Sequence, residues 1–108
     1  MDKYNDKIKA IYAAVESSIE ELKEIRTSLY HNPEIGGREV KSSKLLCTSL
    51  RNHGFEVTEN FYDYPTAFRA VYDTKKSGAT IGIFAEYDAL PAEAKHYVDF
   101  LEEKIGTP

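Results

Sequence analysis

Apolar residues recur at Ile8, Ile11, Tyr12, Val15, Ile19, Leu22, Ile25 and Leu29, most of them three or four positions apart. That spacing draws a single stripe along a helix and predicts one over residues 5–31. Asn5 or Asp6 can cap its start by accepting orphan backbone N–H bonds. Asn32-Pro33 ends it, because the residue before proline is pushed out of the α region. Glu16, Glu20, Glu21, Lys23 and Glu24 charge the other face. Packing on a sheet fits this pattern better than a coiled coil or a partner helix, which the stripe alone leaves open.

A second helix is expected over residues 37–54, with Val40, Leu46, Cys47 and Leu50 on one side. Gly54 suits the left-handed position just past a helix end, and Phe55 can then fold back on the last turn. Phe55-Glu56-Val57-Thr58 alternates as a short strand. Residues 67–73 read as a second strand with Phe68, Ala70 and Tyr72 on one face. The turn residues Thr74-Lys75-Lys76-Ser77-Gly78 then lead into a third strand over residues 79–85, expected to form an antiparallel hairpin with the second. Its near-continuous apolarity suits a central strand buried on both faces. Pro91 suits a first helical turn, and Ala94, Tyr97, Val98, Leu101 and Ile105 trace one face of a closing helix over residues 92–105. The expected fold is α/β, in the order α-α-β-β-β-α: a small three-stranded, partly antiparallel sheet packed with helices.

At 108 residues the chain is one domain or a piece of one. A net charge of −4 with no basic stripe argues against a nucleic-acid partner. The single cysteine, Cys47, excludes an internal disulfide and fits a reducing compartment. The polar start Met1-Asp2-Lys3-Tyr4-Asn5-Asp6 has no signal-peptide character. No apolar run approaches the roughly 20 residues of a membrane helix. A soluble, cytoplasmic protein is expected.

Candidate chemistry gathers at Glu86 and Asp88, two apart where the third strand would end. On a regular strand they share a face, and paired carboxylates there can bind a divalent cation or divide acid and base roles. Solvated residues at a strand end would look the same. His31 and His53 close the two helices, where an imidazolium complements the dipole, and His96 falls on the closing helix. No H-x-H or H-x-x-x-H spacing occurs among them. Cys47 reads as a buried small hydrophobe rather than a nucleophile. Ser42-Ser43 and Gly36-Gly37 form no phosphate loop or nucleophile elbow. Glu102-Glu103 reads as a solvated helix face.

Glu86-Tyr87-Asp88-Ala89-Leu90-Pro91 resembles the "(E/D)-x-D-A-L-P" signature of metal-dependent amidohydrolases. These are the aminoacylase, indole-acetyl-amino-acid hydrolase and aminobenzoyl-glutamate hydrolase relatives of the zinc carboxypeptidases. Leu29-Tyr30-His31-Asn32-Pro33-Glu34-Ile35-Gly36 is similar to the family's "L-H-x-N-P-E-L-G" segment. The residues from Glu39 to Ser43, then Leu50 and Gly54-Phe55-Glu56-Val57, follow its next helix and strand. Pro65-Thr66-Ala67-Phe68-Arg69-Ala70 resembles the "P-T-A-F" run of the branch that also reads "E-Y-D-A-L-P". These segments keep the family's order and spacing over residues 25–91.

The resemblance implies the N-terminal part of a catalytic domain that hydrolyses amide bonds of N-acyl amino acids or short peptides. In the family two divalent ions, usually zinc or manganese, activate a bridging water and polarise the carbonyl. Asp88 matches the aspartate beside the metals, and Glu86 stands where the carboxypeptidase branch has a ligand histidine. After "D-A-L-P" the family continues with "G-H-A-C-G-H", whereas this chain gives Ala92-Glu93-Ala94-Lys95-His96. The later glutamates, the remaining ligand histidines and the lid or dimerisation domain have no counterpart. The expectation is a single truncated catalytic-domain fragment over residues 1–108 that does not hold metal stably and is inactive alone. A second copy or a full-length relative is the candidate partner. The alternative is a non-catalytic folded fragment or protein-interaction module.

Overall fold

The computed structural model describes residues 2–90, 99–100 and 103–105. Its first element, α1 (Asp2–His31), carries the apolar stripe but starts ahead of the expected residue 5, so Asn5 and Asp6 lie within the helix rather than capping it. Asn32 closes it by donating from both its backbone N–H and its side-chain amide to the Ser28 carbonyl, at 3.0 and 2.9 Å. No residue of α1 is buried. Ile8, Ile19, Ile25 and Leu29 are half-covered, while Ile11, Tyr12, Val15 and Leu22 of the same stripe remain exposed. The main neighbour of α1 is the second helix and not the sheet, contrary to the expectation from its pattern.

The second helix, α2 (Val40–Asn52), begins later than residue 37 because the turn at 35–38 comes first. There the Arg38 N–H donates to the Ile35 carbonyl at 2.8 Å, with Gly37 at φ 83°. The other end is a Schellman motif, with Phe55 N–H to Leu50 carbonyl at 3.0 Å and Gly54 N–H to Arg51 carbonyl at 3.1 Å. Gly54 sits at φ 88°, as its sequence context predicts. The Phe55 ring packs against Tyr72, with centroids 5.4 Å apart.

Two strands follow, β1 (Glu56–Glu59) and β2 (Phe68–Val71), paired antiparallel with Val57 opposite Ala70 and Glu59 opposite Phe68. Phe68 and Ala70 are half-buried and Arg69 and Val71 exposed, the alternation of a sheet covered on one face. The covering layer is α2. The connection contains a single 3₁₀ turn (Phe61–Asp63) and turns tightly because Asn60, Tyr62 and Asp63 take positive φ of 54°, 51° and 61°. Phe61 N–H to Ala67 carbonyl and Ala67 N–H to Tyr64 carbonyl, both 3.1 Å, close it.

The third strand is not formed. The turn chemistry at 74–78 is present: Asp73 Oδ1 accepts the Lys75 N–H at 2.8 Å, and Gly78 has φ 147°. Yet residues 79–90 carry no ladder, and among the described residues the sheet has two strands, not three. Ile81, Ile83 and Phe84 are 85, 87 and 104% exposed. A strand apolar on both faces is stable only between neighbouring strands and covering layers, and the described residues supply neither. The hairpin is therefore β1–β2, not the expected β2 with residues 79–85. The predicted closing helix lies largely outside the described residues; Asp99, Phe100 and residues 103–105 have helical backbone.

The most enclosed place is the inner face of α2. Cys47 is fully buried, and Ser42, Ser43 and Glu39 are nearly so at 7, 5 and 8% exposure. Val40, expected on the same apolar side, is 62% exposed.

Candidate functional site

Glu39 is the residue from which α2 starts. Its carbonyl accepts the first intrahelical bond, from the Ser43 N–H at 2.9 Å, but its side chain makes no cap bond. That task falls to Glu34: Oε1 accepts the backbone N–H of Ser42 at 2.7 Å, and Oε2 that of Lys41 at 3.1 Å. A carboxylate against the free N–H groups of a first turn is favourable both as a hydrogen-bond acceptor and toward the helix dipole. The Ser42 hydroxyl also donates to Glu34 Oε1, and this is the first cause holding the Glu34 carboxyl below its ordinary pKa.

The Glu39 carboxylate instead reaches across to the residues before β2. Its Oε2 accepts the Thr66 hydroxyl at 2.8 Å. That bond, followed by backbone N–H groups of Glu39 itself and of Gly37, pulls its pKa below the usual carboxylate range against the opposing effect of burial. The Thr66 carbonyl in turn accepts the hydroxyl of Tyr87. The Tyr87 ring lies beside that of Phe68, with centroids 5.7 Å apart and planes inclined 31°.

Tyr87 stands between the two sequence-predicted site residues. Glu86 and Asp88 are both exposed, on a stretch without regular secondary structure rather than at a strand end. Among the described residues no three His, Cys, Asp or Glu side chains come together in a way that could hold a metal ion. Two exposed carboxylates are an incomplete ligand set for zinc or manganese, so a metal held at Glu86 and Asp88 requires further ligands from other residues. His31 ends α1, its ring edge-on to Tyr30 at 5.2 Å. His53 Nε2 lies 2.8 Å from Glu21 Oε2, an interhelical pair that sequence spacing does not reveal. The Ser49 hydroxyl donates to the other oxygen of Glu21 at 2.7 Å. Ser49 first and His53 second keep the Glu21 carboxyl below its ordinary pKa. Burial pushes the Cys47 thiol up, away from nucleophilic duty. His96 and Glu102 lie outside the described residues; Glu103 is exposed.

Glu34, Glu39 and Thr66 thus have structural roles that periodicity does not reveal. The usable signal is positional. Each falls within a family-like segment, and Glu34 and Glu39 are acidic residues just ahead of a helix.

No protein-family model matches the chain. Individual relatives do. The chain is 36% identical over 83 residues to thermostable carboxypeptidase 2 of Saccharolobus solfataricus, covering 77% of this chain and 21% of that protein. It is 34% identical over 73 residues to hippurate hydrolase of Campylobacter jejuni, covering 68% of this chain and 18% of the relative. It is 32% identical over 77 residues to a p-aminobenzoyl-glutamate hydrolase chain of Escherichia coli, covering 71% and 16% respectively. The matched region is about a fifth of the length of these curated relatives. By these matches, with the motifs in their order, the chain belongs to the metal-dependent amidohydrolase family that includes such carboxypeptidases and hydrolases.

Proposed function

We propose that this chain carries the Asp88-bearing segment of an amide-hydrolysing site that acts on N-acyl amino acids or short peptides, and that the 108 residues alone do not turn over substrate. The observation that supports this reading is the intact Glu86-x-Asp88-Ala89-Leu90-Pro91 run, followed by Ala92-Glu93-Ala94-Lys95-His96 where the family pattern has its ligand-bearing glycine-rich segment. Asp88 takes the place beside the metals and Glu86 that of a ligand, with zinc or manganese the ions implied. The remaining ligands come from outside these 108 residues, and a full-length relative is the candidate source. The same reading places the chain in the cytoplasm, which a single buried thiol suits. No described helix is long and apolar enough to cross a membrane.

The test is calorimetric titration of the chelator-stripped chain with zinc and then manganese, alongside hydrolysis assays on N-acyl amino acids. The chain alone is expected to show neither tight stoichiometric binding nor turnover. Mixed with a relative whose own matching aspartate has been removed, it is expected to restore hydrolysis that Asp88→Ala abolishes. Restored hydrolysis that survives Asp88→Ala would defeat the assignment of Asp88. Tight binding by the chain alone, lost in Asp88→Ala, would overturn the claim of insufficiency.

A second reading, a non-catalytic interaction module, draws on the uncovered Ile81, Ile83 and Phe84 and on the outer edge of β2, unpaired among the described residues. Strict monomer behaviour by light scattering, alone and mixed with a relative, would remove it.

A further inference from the structure

From Tyr72 to Leu90 every residue is exposed except Tyr87 and Ala89, which are half-buried. The chain there has no ladder to hold it, so its attachment to the frame must come from side chains. Tyr87 makes that attachment twice: its hydroxyl donates to the Thr66 carbonyl, and its ring rests beside Phe68 of β2. Thr66 is itself held from behind, because its hydroxyl donates at 2.8 Å to the nearly buried carboxylate of Glu39. Glu39 is anchored in turn as the residue that opens α2. A series of hydrogen bonds thus runs from the start of a helix, through a turn residue two positions ahead of β2, to the residue between Glu86 and Asp88.

We propose that Glu39, Thr66 and Tyr87 are positioning residues that fix the Glu86 and Asp88 carboxylates relative to the α2–sheet frame. This rests on the reading of Asp88 and Glu86 as site residues given above. None of the three touches substrate on this account. Glu39 orients the Thr66 peptide, the Thr66 carbonyl receives the Tyr87 hydroxyl, and Tyr87 sets where its two neighbours stand. A site held to within about 0.5 Å needs such support behind the reacting groups. Here the support is drawn from the two ordered layers rather than from the stretch that bears the carboxylates. The middle member is held through its backbone carbonyl as well as its hydroxyl, so the arrangement tolerates little change in the path of the chain at Thr66.

Backbone relaxation by nuclear magnetic resonance on the intact chain tests this without metal or turnover. In the native chain the Asp88 amide is expected to be nearly as ordered as α2, with an order parameter near about 0.85. Tyr87→Phe removes one half-buried hydroxyl and leaves α2 as an internal control. It is expected to drop the Glu86 and Asp88 amides below about 0.6, the level of flexible backbone. Glu39→Ala is expected to loosen the same amides, and Glu39→Gln, which keeps an acceptor for the Thr66 hydroxyl, to restore them. Asp88 as ordered in Tyr87→Phe as in the native chain, or Glu39→Gln as loose as Glu39→Ala, would overturn the proposal. The two readings fail separately. Loss of order in Tyr87→Phe with no Asp88-dependent hydrolysis in the mixing assay rejects the hydrolytic reading alone. Such hydrolysis with 86–88 indifferent to Tyr87 rejects the positioning role alone.

Discussion

Glu34 Oε1 accepts both the backbone N–H and the hydroxyl of Ser42, each at 2.7 Å, although the two residues are eight positions apart. The carboxylate thus serves the first turn of α2 from a residue outside the helix, while Glu39, in the capping position, sends its own side chain to Thr66. Two acidic residues flanking a Gly-Gly turn divide the work: one completes the helix and the other ties it to the strand.

Removing the external cap therefore has a defined cost. Glu34→Ala is expected to destabilise the chain by about 1 kcal/mol, the usual scale for a lost N-terminal cap. Glu34→Gln, which keeps an acceptor, is expected to lose less. Urea titration followed by far-ultraviolet circular dichroism measures both.

At the opposite end of α2 the constraint is conformational. Gly54 holds φ 88°, and an added Cβ would lie 3.4 Å from the Tyr72 ring. Gly54→Ala is expected to cost about 1–2 kcal/mol, the penalty of left-handed backbone for a residue with a Cβ. Gly37 also has positive φ, but nothing lies within 4 Å of its added Cβ. Gly37→Ala thus isolates the backbone part of the penalty in the same denaturation assay.

Acid is expected to weaken the fold in a particular window. The carboxyls of Glu21, Glu34 and Glu39 are all depressed in the folded chain, chiefly by the hydroxyls of Ser49, Ser42 and Thr66. Below the ordinary carboxylate pKa the unfolded chain takes up protons that the folded chain still refuses. Their contribution is therefore full above that value and is lost as pH falls through the depressed values. Stability measured across an acid series should rise with pH in this interval, with a shallower slope in Glu34→Gln.

Cys47 offers an independent reading of the same equilibrium. Its side chain is fully buried and its thiol pKa is raised by burial, so the native state presents no reactive thiolate. Labelling by an aromatic disulfide reagent is expected to proceed through unfolding, slowed about tenfold for every 1.4 kcal/mol of stability. A labelling rate indifferent to added urea would contradict this.

The chain announces some of this and conceals the rest for identifiable reasons. The α1 stripe, the Pro33 stop, the Gly54 end of α2 and the alternation of Phe68 and Ala70 are local signals, and the structure follows them. The α1–α2 link through Glu21, Ser49 and His53 joins residues 28 and 32 positions apart, beyond any spacing rule. The β1–β2 hairpin turns on left-handed Asn60, Tyr62 and Asp63, of which only asparagine and aspartate hint at such a conformation. Residues 79–85 fail in the opposite direction. Their composition is that of a central strand, but a central strand is defined by its neighbours, and hydrophobic pattern cannot state whether these are present. At the candidate site the Glu86-x-Asp88 pair is legible, whereas its attachment through Tyr87, Thr66 and Glu39 depends on a fold that must first be built.

That Cys47 is the one fully buried apolar side chain among the described residues has a calorimetric consequence. Heat capacity rises on unfolding in proportion to the apolar surface newly hydrated, and ordinary domains give about 12–15 cal/mol/K per residue. Here Ile11, Tyr12, Val15, Leu22, Ile81, Ile83 and Phe84 are already in water before any unfolding begins. Scanning calorimetry is expected to return a smaller increment than that range. The curve of free energy against temperature would then be unusually flat, with cooling costing this chain less of its stability than it costs a well-packed domain.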